Sequence, residues 1–210
     1  MFAKKAFLYL TFFEIRWCDK LEEQILNTIL KNCPDLKALQ IETGDFEGGY
    51  ESVGISRKLN ELSLNGPAIL DNTFQYISSQ CHELKKLELA FSDTLTDKAF
   101  EEICTRCPLL EHISLESMDE LTDGIFECFF KYTYIKFLEI KYCKQITGAF
   151  LDCIPIYFIH LQRLVVFSHS LKKQSIEKLQ RKMPQLEIEH GSTELEPFAD
   201  INLEDVSFFE

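Results

Sequence analysis

A short apolar pattern repeated at near-constant spacing constrains this chain more than any other feature. A unit of that length cannot bury its own apolar residues and must share a core with its neighbours. The pattern is Leu-x-x-Leu-x-Leu, with Ile, Val, Phe or Met allowed in place of Leu. It reads as Leu10-Phe13-Ile15, Leu36-Leu39-Ile41, Leu59-Leu62-Leu64 and Leu84-Leu87-Leu89, then as Leu110-Ile113-Leu115, Ile135-Leu138-Ile140, Leu161-Leu164-Val166 and Met183-Leu186-Ile188. Successive first residues lie 26, 23, 25, 26, 25, 26 and 22 apart.

Within each hit, alternate residues of a short strand point to opposite sides, so the fourth and sixth positions face inward together. The period then turns helical: Phe100, Ile103, Cys104 and Cys107 fall three or four apart, as do Leu21, Ile25, Ile29 and Leu30. Thr96-Asp97, Thr122-Asp123 and Asp71-Asn72 read as helix starts, their side chains able to accept from free backbone N–H groups. The expected fold is α/β: a leucine-rich-repeat right-handed β/α solenoid, a horseshoe of about eight repeats. One parallel sheet forms its concave face and helices its convex side. Eighteen Phe against one Trp predict a core wedged with rings as well as leucines.

Two segments depart from the unit. From Glu42 to Lys58 the helical period is lost and Gly44, Gly48 and Gly49 crowd together, which predicts an irregular loop in place of the helix. It reads as a degenerate connection, with a contact loop as the alternative. The repeat domain is placed at residues 1–190, and residues 191–210 form an acidic tail with six acids and no Lys or Arg. Leu195, Phe198, Ile201, Leu203, Val206, Phe208 and Phe209 interleave those acids, so the tail is expected to cap the last repeat, a free acidic peptide being the alternative.

The net charge of -12 argues against nucleic acid as a partner, because phosphate binding needs clustered Lys and Arg. No stretch approaches the roughly 18 uninterrupted apolar residues of a membrane span. The start, Met1-Phe2-Ala3-Lys4-Lys5 followed by Ala6 to Phe13, lacks a small-residue cleavage site and runs into Glu14 and Arg16. The expected compartment is therefore the cytoplasm, with the nucleus as alternative. Eight cysteines then read as reduced core residues, with Cys18, Cys33, Cys81, Cys107 and Cys143 expected to be buried. Cys104 and Cys107 form a CxxC, but a structural zinc site wants two such pairs, and both fall on the inward stripe of a helix. Cys128 and Cys153 occupy one place in adjacent units and read as packed helix positions. His82, His112, His160, His169 and His190 show no metal-ligand spacing, and acid pairs such as Glu101-Glu102 fall on outward helix positions. Neither catalysis, a cofactor nor a metal is expected.

Cys33-Pro34-x-Leu36, Cys81-x-x-Leu84 and Cys107-Pro108-x-Leu110 each place Cys three residues before a strand. Cys18 and Cys143 fall three beyond Ile15 and Ile140, and Ile146-Thr147, Leu95-Thr96-Asp97 and Leu121-Thr122-Asp123 complete the unit. From Leu10 to Ile188 the chain resembles the cysteine-containing class of leucine-rich repeat. That class is found in F-box/leucine-rich-repeat proteins and the antagonist-of-mitotic-exit-network family. The resemblance implies a concave face that selects a protein, often a substrate for an SCF-type ubiquitin ligase, and it implies ligase components as partners. No F-box is visible, and the first repeat starts almost at Met1. The expectation is that the chain is part of a longer protein, resembles the box-less family, or has that end covered by another subunit. The rival readings are a scaffold repeat protein unrelated to ubiquitin and a regulatory subunit that competes for a ligase's partner.

With the fourth and sixth positions inward, the third, fifth, seventh and eighth project from the concave face. The third supplies Phe12, His112, Phe137 and Arg163; the eighth supplies Trp17, Phe91 and Tyr142. The fifth row runs Glu14, Gln40, Ser63, Glu88, Ser114, Glu139, Val165, Glu187, and the seventh Arg16, Glu42, Asn65, Ala90, Glu116, Lys141, Phe167, Glu189. Aromatic rings ringed by charge are the usual make-up of binding anchors. The candidate partner site is therefore Phe12, Glu14, Arg16, Trp17, Glu88, Phe91, His112, Glu116, Phe137, Glu139, Lys141, Tyr142 and Arg163. The expected partner is a protein segment with basic residues flanking an apolar anchor.

Overall fold

Each hit becomes a five-residue strand: β1 Phe12–Arg16, β2 Ala38–Glu42, β3 Glu61–Asn65, β4 Lys86–Ala90, β5 His112–Glu116, β6 Phe137–Lys141, β7 Arg163–Phe167 and β8 Glu187–Gly191. This computed structural model describes residues 7–18, 21–44, 49–66, 69–132 and 134–191. Outside them lie the start of the chain up to Ala6, Asp45 to Gly48 of the irregular loop, and the tail from Ser192 onward. The strands form one parallel sheet in the order β1 to β8, a leucine-rich-repeat solenoid that stays open at both edges. No described helix is long and apolar enough to cross a membrane.

The register stacks like on like. Leu39, Leu62, Leu87, Ile113, Leu138 and Leu164 form one inward row, and Ile41, Leu64, Leu89, Leu115, Ile140 and Val166 the next. All are buried, whereas Phe13 and Ile15 of the end strand are half-buried, having a neighbour on one side only. The last repeat corrects the sequence register. Leu164 pairs with Ile188 and Val165 with Glu189, so Met183 does not open the unit. Leu186 does: its N–H donates to the Met183 carbonyl as that of Leu110 does to Cys107. The unit is one residue shorter before its strand, and Gly191 belongs to β8 rather than to the tail.

The opposite layer carries α1 Glu23–Lys31, α2 Asp71–Gln80, α3 Asp97–Arg106, α4 Ile125–Tyr132, α5 Ile154–Tyr157 and α6 Lys173–Lys182. Phenylalanines run through it: Phe74 to Phe100 at 5.9 Å, Phe100 to Phe129 at 5.8 Å and Phe126 to Phe129 at 5.9 Å between ring centroids. In α1 the buried stripe is Leu26 and Leu30, four apart, and Ile25, expected inward, is exposed. In the second repeat a 3₁₀ turn, Glu51–Ile55, replaces the helix, and Tyr50 and Val53 fill the space beneath it.

The polar helix starts do more than cap. The Thr96 N–H and hydroxyl both donate to the Asp71 carboxylate of the preceding repeat, at 2.8 and 2.6 Å. Thr122 meets Asp97, and Thr147 meets Asp123, in the same way. Glu23 takes this place in the first repeat, accepting from the Tyr50 and Ser52 N–H groups at 3.1 and 2.6 Å. A carboxylate thus staples each of these units to the next. The Thr96 side chain makes no cap of its own, while that of Thr147 also accepts from Ala149. Cysteine is a second staple: the Cys107 thiol donates to the Cys81 carbonyl at 3.3 Å and that of Cys81 to the Ser56 carbonyl at 3.6 Å. Cys33, Cys81, Cys104, Cys107 and Cys143 are buried; Cys18, Cys128 and Cys153 are only half-buried. Burial pushes the thiols of Cys81 and Cys107 up to about 12 and that of Cys143 to about 11.

Candidate functional site

In-register pairing brings the third, fifth and seventh positions of all strands onto one open sheet face. Phe137 lies at the centre of its best-ordered cluster. The His112 ring stacks on it at 4.1 Å and 13°, and the Arg163 guanidinium sits 5.9 Å from its centroid on the adjacent strand. Arg163 also meets Glu187 at 3.2 Å and Glu189 at 3.0 Å. Burial, reinforced by Lys86, holds the His112 imidazole below its ordinary value, so the stacked ring is neutral at pH 7. Val165, in the row projecting from this face, is buried.

The expected acids are present, and all but Glu116 are engaged. Glu14 pairs with Arg16, which also lies 3.9 Å from Glu42. Glu88 pairs with Lys86 at 2.8 Å and faces His112 at 3.6 Å. Glu139 accepts from Ser114 at 2.7 Å and pairs with Lys141, which stands 5.9 Å over the Phe167 ring. Burial alone would raise the Glu139 carboxyl, but the bonds from Lys141 and Ser114 outweigh it and hold it below the usual range. Glu116 makes no ion pair among the described residues, though it stands directly across from Lys141. Glu187 and Glu189, expected in the fifth and seventh rows, stand in the third and fifth because of the corrected last repeat. The face carries Glu14, Glu42, Glu61, Glu88, Glu116, Glu139, Glu187 and Glu189 against Arg16, Lys86, Lys141 and Arg163, so it remains acidic. Ser63, Asn65, Ala90 and Ser114 leave a shallow trough of about 180 Å³ between Glu88 and Glu116.

The eighth position forms the rim where each strand ends. Here the backbone N–H still bonds to the next strand, Trp17 to Glu42, Phe91 to Glu116, Ser117 to Lys141 and Tyr142 to Phe167, at 2.8 to 3.0 Å. At these residues the backbone is left-handed, with φ of 56° at Trp17, 60° at Phe91, 52° at Ser117 and 57° at Tyr142. That conformation costs an L-residue roughly 1–2 kcal/mol and favours Gly or Asn. The third repeat puts Gly66 at this position, with φ 150°. The first, fourth and sixth instead put Trp, Phe and Tyr, whose rings the chain covers only in part: Trp17 is 80%, Phe91 51% and Tyr142 45% exposed. Phe12 is exposed as well, at the end strand.

The structure therefore places all thirteen candidate residues on one face and its rim. It adds Phe167, which packs 6.3 Å from Tyr142, and Glu42 and Ser114, which tie candidate side chains in place. The available signal was their place in the projecting rows, Phe167 and Glu42 in the seventh and Ser114 next to Glu139 in the fifth. Among the described residues no group of three or more His, Cys, Asp or Glu is arranged to hold a metal ion.

No family model matches the sequence, and no curated protein matches it. Among solved structures, a chain of the yeast Rad7–Elc1 complex is similar with a TM-score of 0.51 and 16% identity, over 87% of this chain and 70% of that one. An internalin from Listeria monocytogenes gives a TM-score of 0.47 and 12% identity, over 83% of this chain and 61% of that one. The yeast likeness, at so low an identity, is one of fold.

Proposed function

We propose that this chain is a protein-recognition module that grips its partner across the open sheet face and the adjoining rim. The observation that carries the reading is the placement of Trp17, Phe91 and Tyr142 in left-handed backbone while their rings stay about half exposed or more. A residue that is unfavourable where it stands and unburied by its own chain is explained by what it contacts outside that chain. The bound segment is one with an apolar anchor for the rings and Lys or Arg for the acidic face.

The narrower reading is a substrate receptor of an SCF-type ubiquitin ligase. It rests on the resemblance to the cysteine-containing repeats of F-box/leucine-rich-repeat proteins, and the yeast structural neighbour is likewise found in a complex with a second protein. Proteins co-purifying with the tagged chain, identified by mass spectrometry, test both levels. Adaptor and cullin peptides support the receptor, and cytoskeletal partners without them support a scaffold. For the surface itself, Phe137→Ala with Tyr142→Ala is expected to weaken partner binding by more than about 2 kcal/mol, while Glu101→Ala with Glu102→Ala on the helix side leaves it unchanged. Loss of binding in the helix-side variant alone would place the interface elsewhere.

A further inference from the structure

The helix layer is interrupted beside the sixth repeat. There a 3₁₀ turn, Gly148–Asp152, and the four-residue α5 stand in for a full helix. Pro155 supplies no N–H to extend α5. Toward α4 this leaves a groove of about 480 Å³, lined by Phe126, Phe130, Lys131, Phe150, Cys153 and Tyr157 among others. Ring stacks bridge its floor, Phe126 on Phe150 at 4.1 Å and Phe130 on Tyr157 at 4.4 Å. Its apolar surface continues outward: Tyr157 is 52%, Ile156 63% and Ile159 68% exposed. An exposed apolar patch of this kind marks a contact surface.

We infer that the groove is the docking site of the chain's own C-terminal segment, with Val206, Phe208 and Phe209 seated in it. Three observations converge. The first is charge. On the far side of α5 lies α6, where Lys178 pairs with Asp152 at 2.7 Å while Lys173, Arg181 and Lys182 make no ion pair among the described residues, and the helix itself carries a single acid, Glu177, in a chain of net charge -12. Residues 192–205 carry Glu194, Glu196, Asp200, Glu204 and Asp205 and no base. The second is order: five acids, with Leu195, Phe198, Ile201 and Leu203 among them, precede the cluster of Val206, Phe208 and Phe209, so acid-rich chain crosses α6 before that cluster reaches the groove. The third is length. β8 ends at Gly191, where the other repeats turn into the helix layer. From there the groove is about 25 Å away at helix spacings of roughly 10 Å, and residues 206–209 reach about 50 Å when extended.

The test uses the full chain and the alkylation rate of Cys153, read by mass spectrometry. Cys153 is half-buried and lines the groove. Phe208→Asp with Phe209→Asp is expected to raise that rate about tenfold, and Arg181→Glu with Lys182→Glu to raise it less. Cys18, at the other end of the stack, should not respond. Equal Cys153 rates in the wild type and the phenylalanine variant overturn the inference. So does protection that disappears on dilution, which would make the occupant a second copy of the chain.

Discussion

Replacing Phe91 by Gly and by Ala gives a test whose sign, not only its size, depends on the rim geometry. At an ordinary position Gly is less stable than Ala by roughly 0.5–1 kcal/mol, because the unfolded chain gains freedom. Phe91 has φ 60°, where the Cβ of Ala keeps the left-handed penalty of roughly 1–2 kcal/mol and Gly loses it. The order should therefore reverse, with Phe91→Gly the more stable of the two by about 0.5–1 kcal/mol. Against wild type, the ring is half exposed, so its removal forfeits about 1 kcal/mol of burial. Relief of the backbone offsets most of this, and Phe91→Gly should fall within about 0.5 kcal/mol of wild type. Trp17, the most exposed of the three, should show the same reversal with still less lost packing. The assay is urea unfolding followed by circular dichroism, comparing midpoints at constant m-value. If the Ala variants equal or exceed the Gly variants, the rim backbone is not left-handed in solution. The argument that these rings are held for a partner then fails with it.

Three further outcomes follow from the packing. Asp97→Ala removes the acceptor of both Thr122 donors and should cost roughly 1–3 kcal/mol in urea unfolding, with Asp97→Asn milder because one acceptor remains. Alkylation of Cys81, Cys107 and Cys143 should be slow in the native protein and fast in denaturant, with Cys18 reacting measurably even when folded. His112 has a folded pKa below its unfolded value of about 6.5. The contribution of its neutral ring is therefore complete above that value and declines as pH falls toward the folded pKa. Unfolding midpoints measured from pH 7.5 to 5 should drop more steeply for wild type than for His112→Phe, and parallel slopes would contradict the assignment.

The strands were legible because their signal is doubly periodic: alternation within each unit, and about 25 residues between units. The last repeat was misplaced because Met183 offered an apolar residue near the right spacing. The better signal was Met183-Pro184-x-Leu186, which parallels Cys107-Pro108-x-Leu110 and puts Met where the others have Cys. Thr96-Asp97 read as a helix cap because capping is a local rule. Its real acceptor, Asp71, is one repeat away, and only the shared spacing of 25 between Asp71 and Thr96 hinted at it. The rim conformation left no trace, since Trp17, Phe91 and Tyr142 are the residue types that sequence rules assign anywhere but to left-handed backbone. Ile25 misled for a simpler reason: two apolar residues, Ile25 and Leu26, compete for one stripe, and the four-residue step to Leu30 favours Leu26.

The pairing of the acids changes what charge can do on the sheet face. Glu88 and Glu139 are held by Lys86, Ser114 and Lys141, so reversing either would break intramolecular bonds as well as alter the field. Their variants would mix stability with recognition. Glu116 is the cleaner probe, because it forms no ion pair among the described residues and borders the small-residue trough beside Ala90 and Ser114. Glu116→Gln should leave the unfolding midpoint within about 0.5 kcal/mol of wild type. With a basic partner segment it should slow association by about two- to five-fold at low salt, and the difference should vanish near 0.5 M salt, where exposed charges are screened. Dissociation should change little, since the rings around Phe137 and Tyr142 hold the complex once it is formed. Stopped-flow mixing at two ionic strengths separates the cases. A salt-independent effect confined to dissociation would mean that Glu116 makes a direct contact, and that the acidic face does not steer.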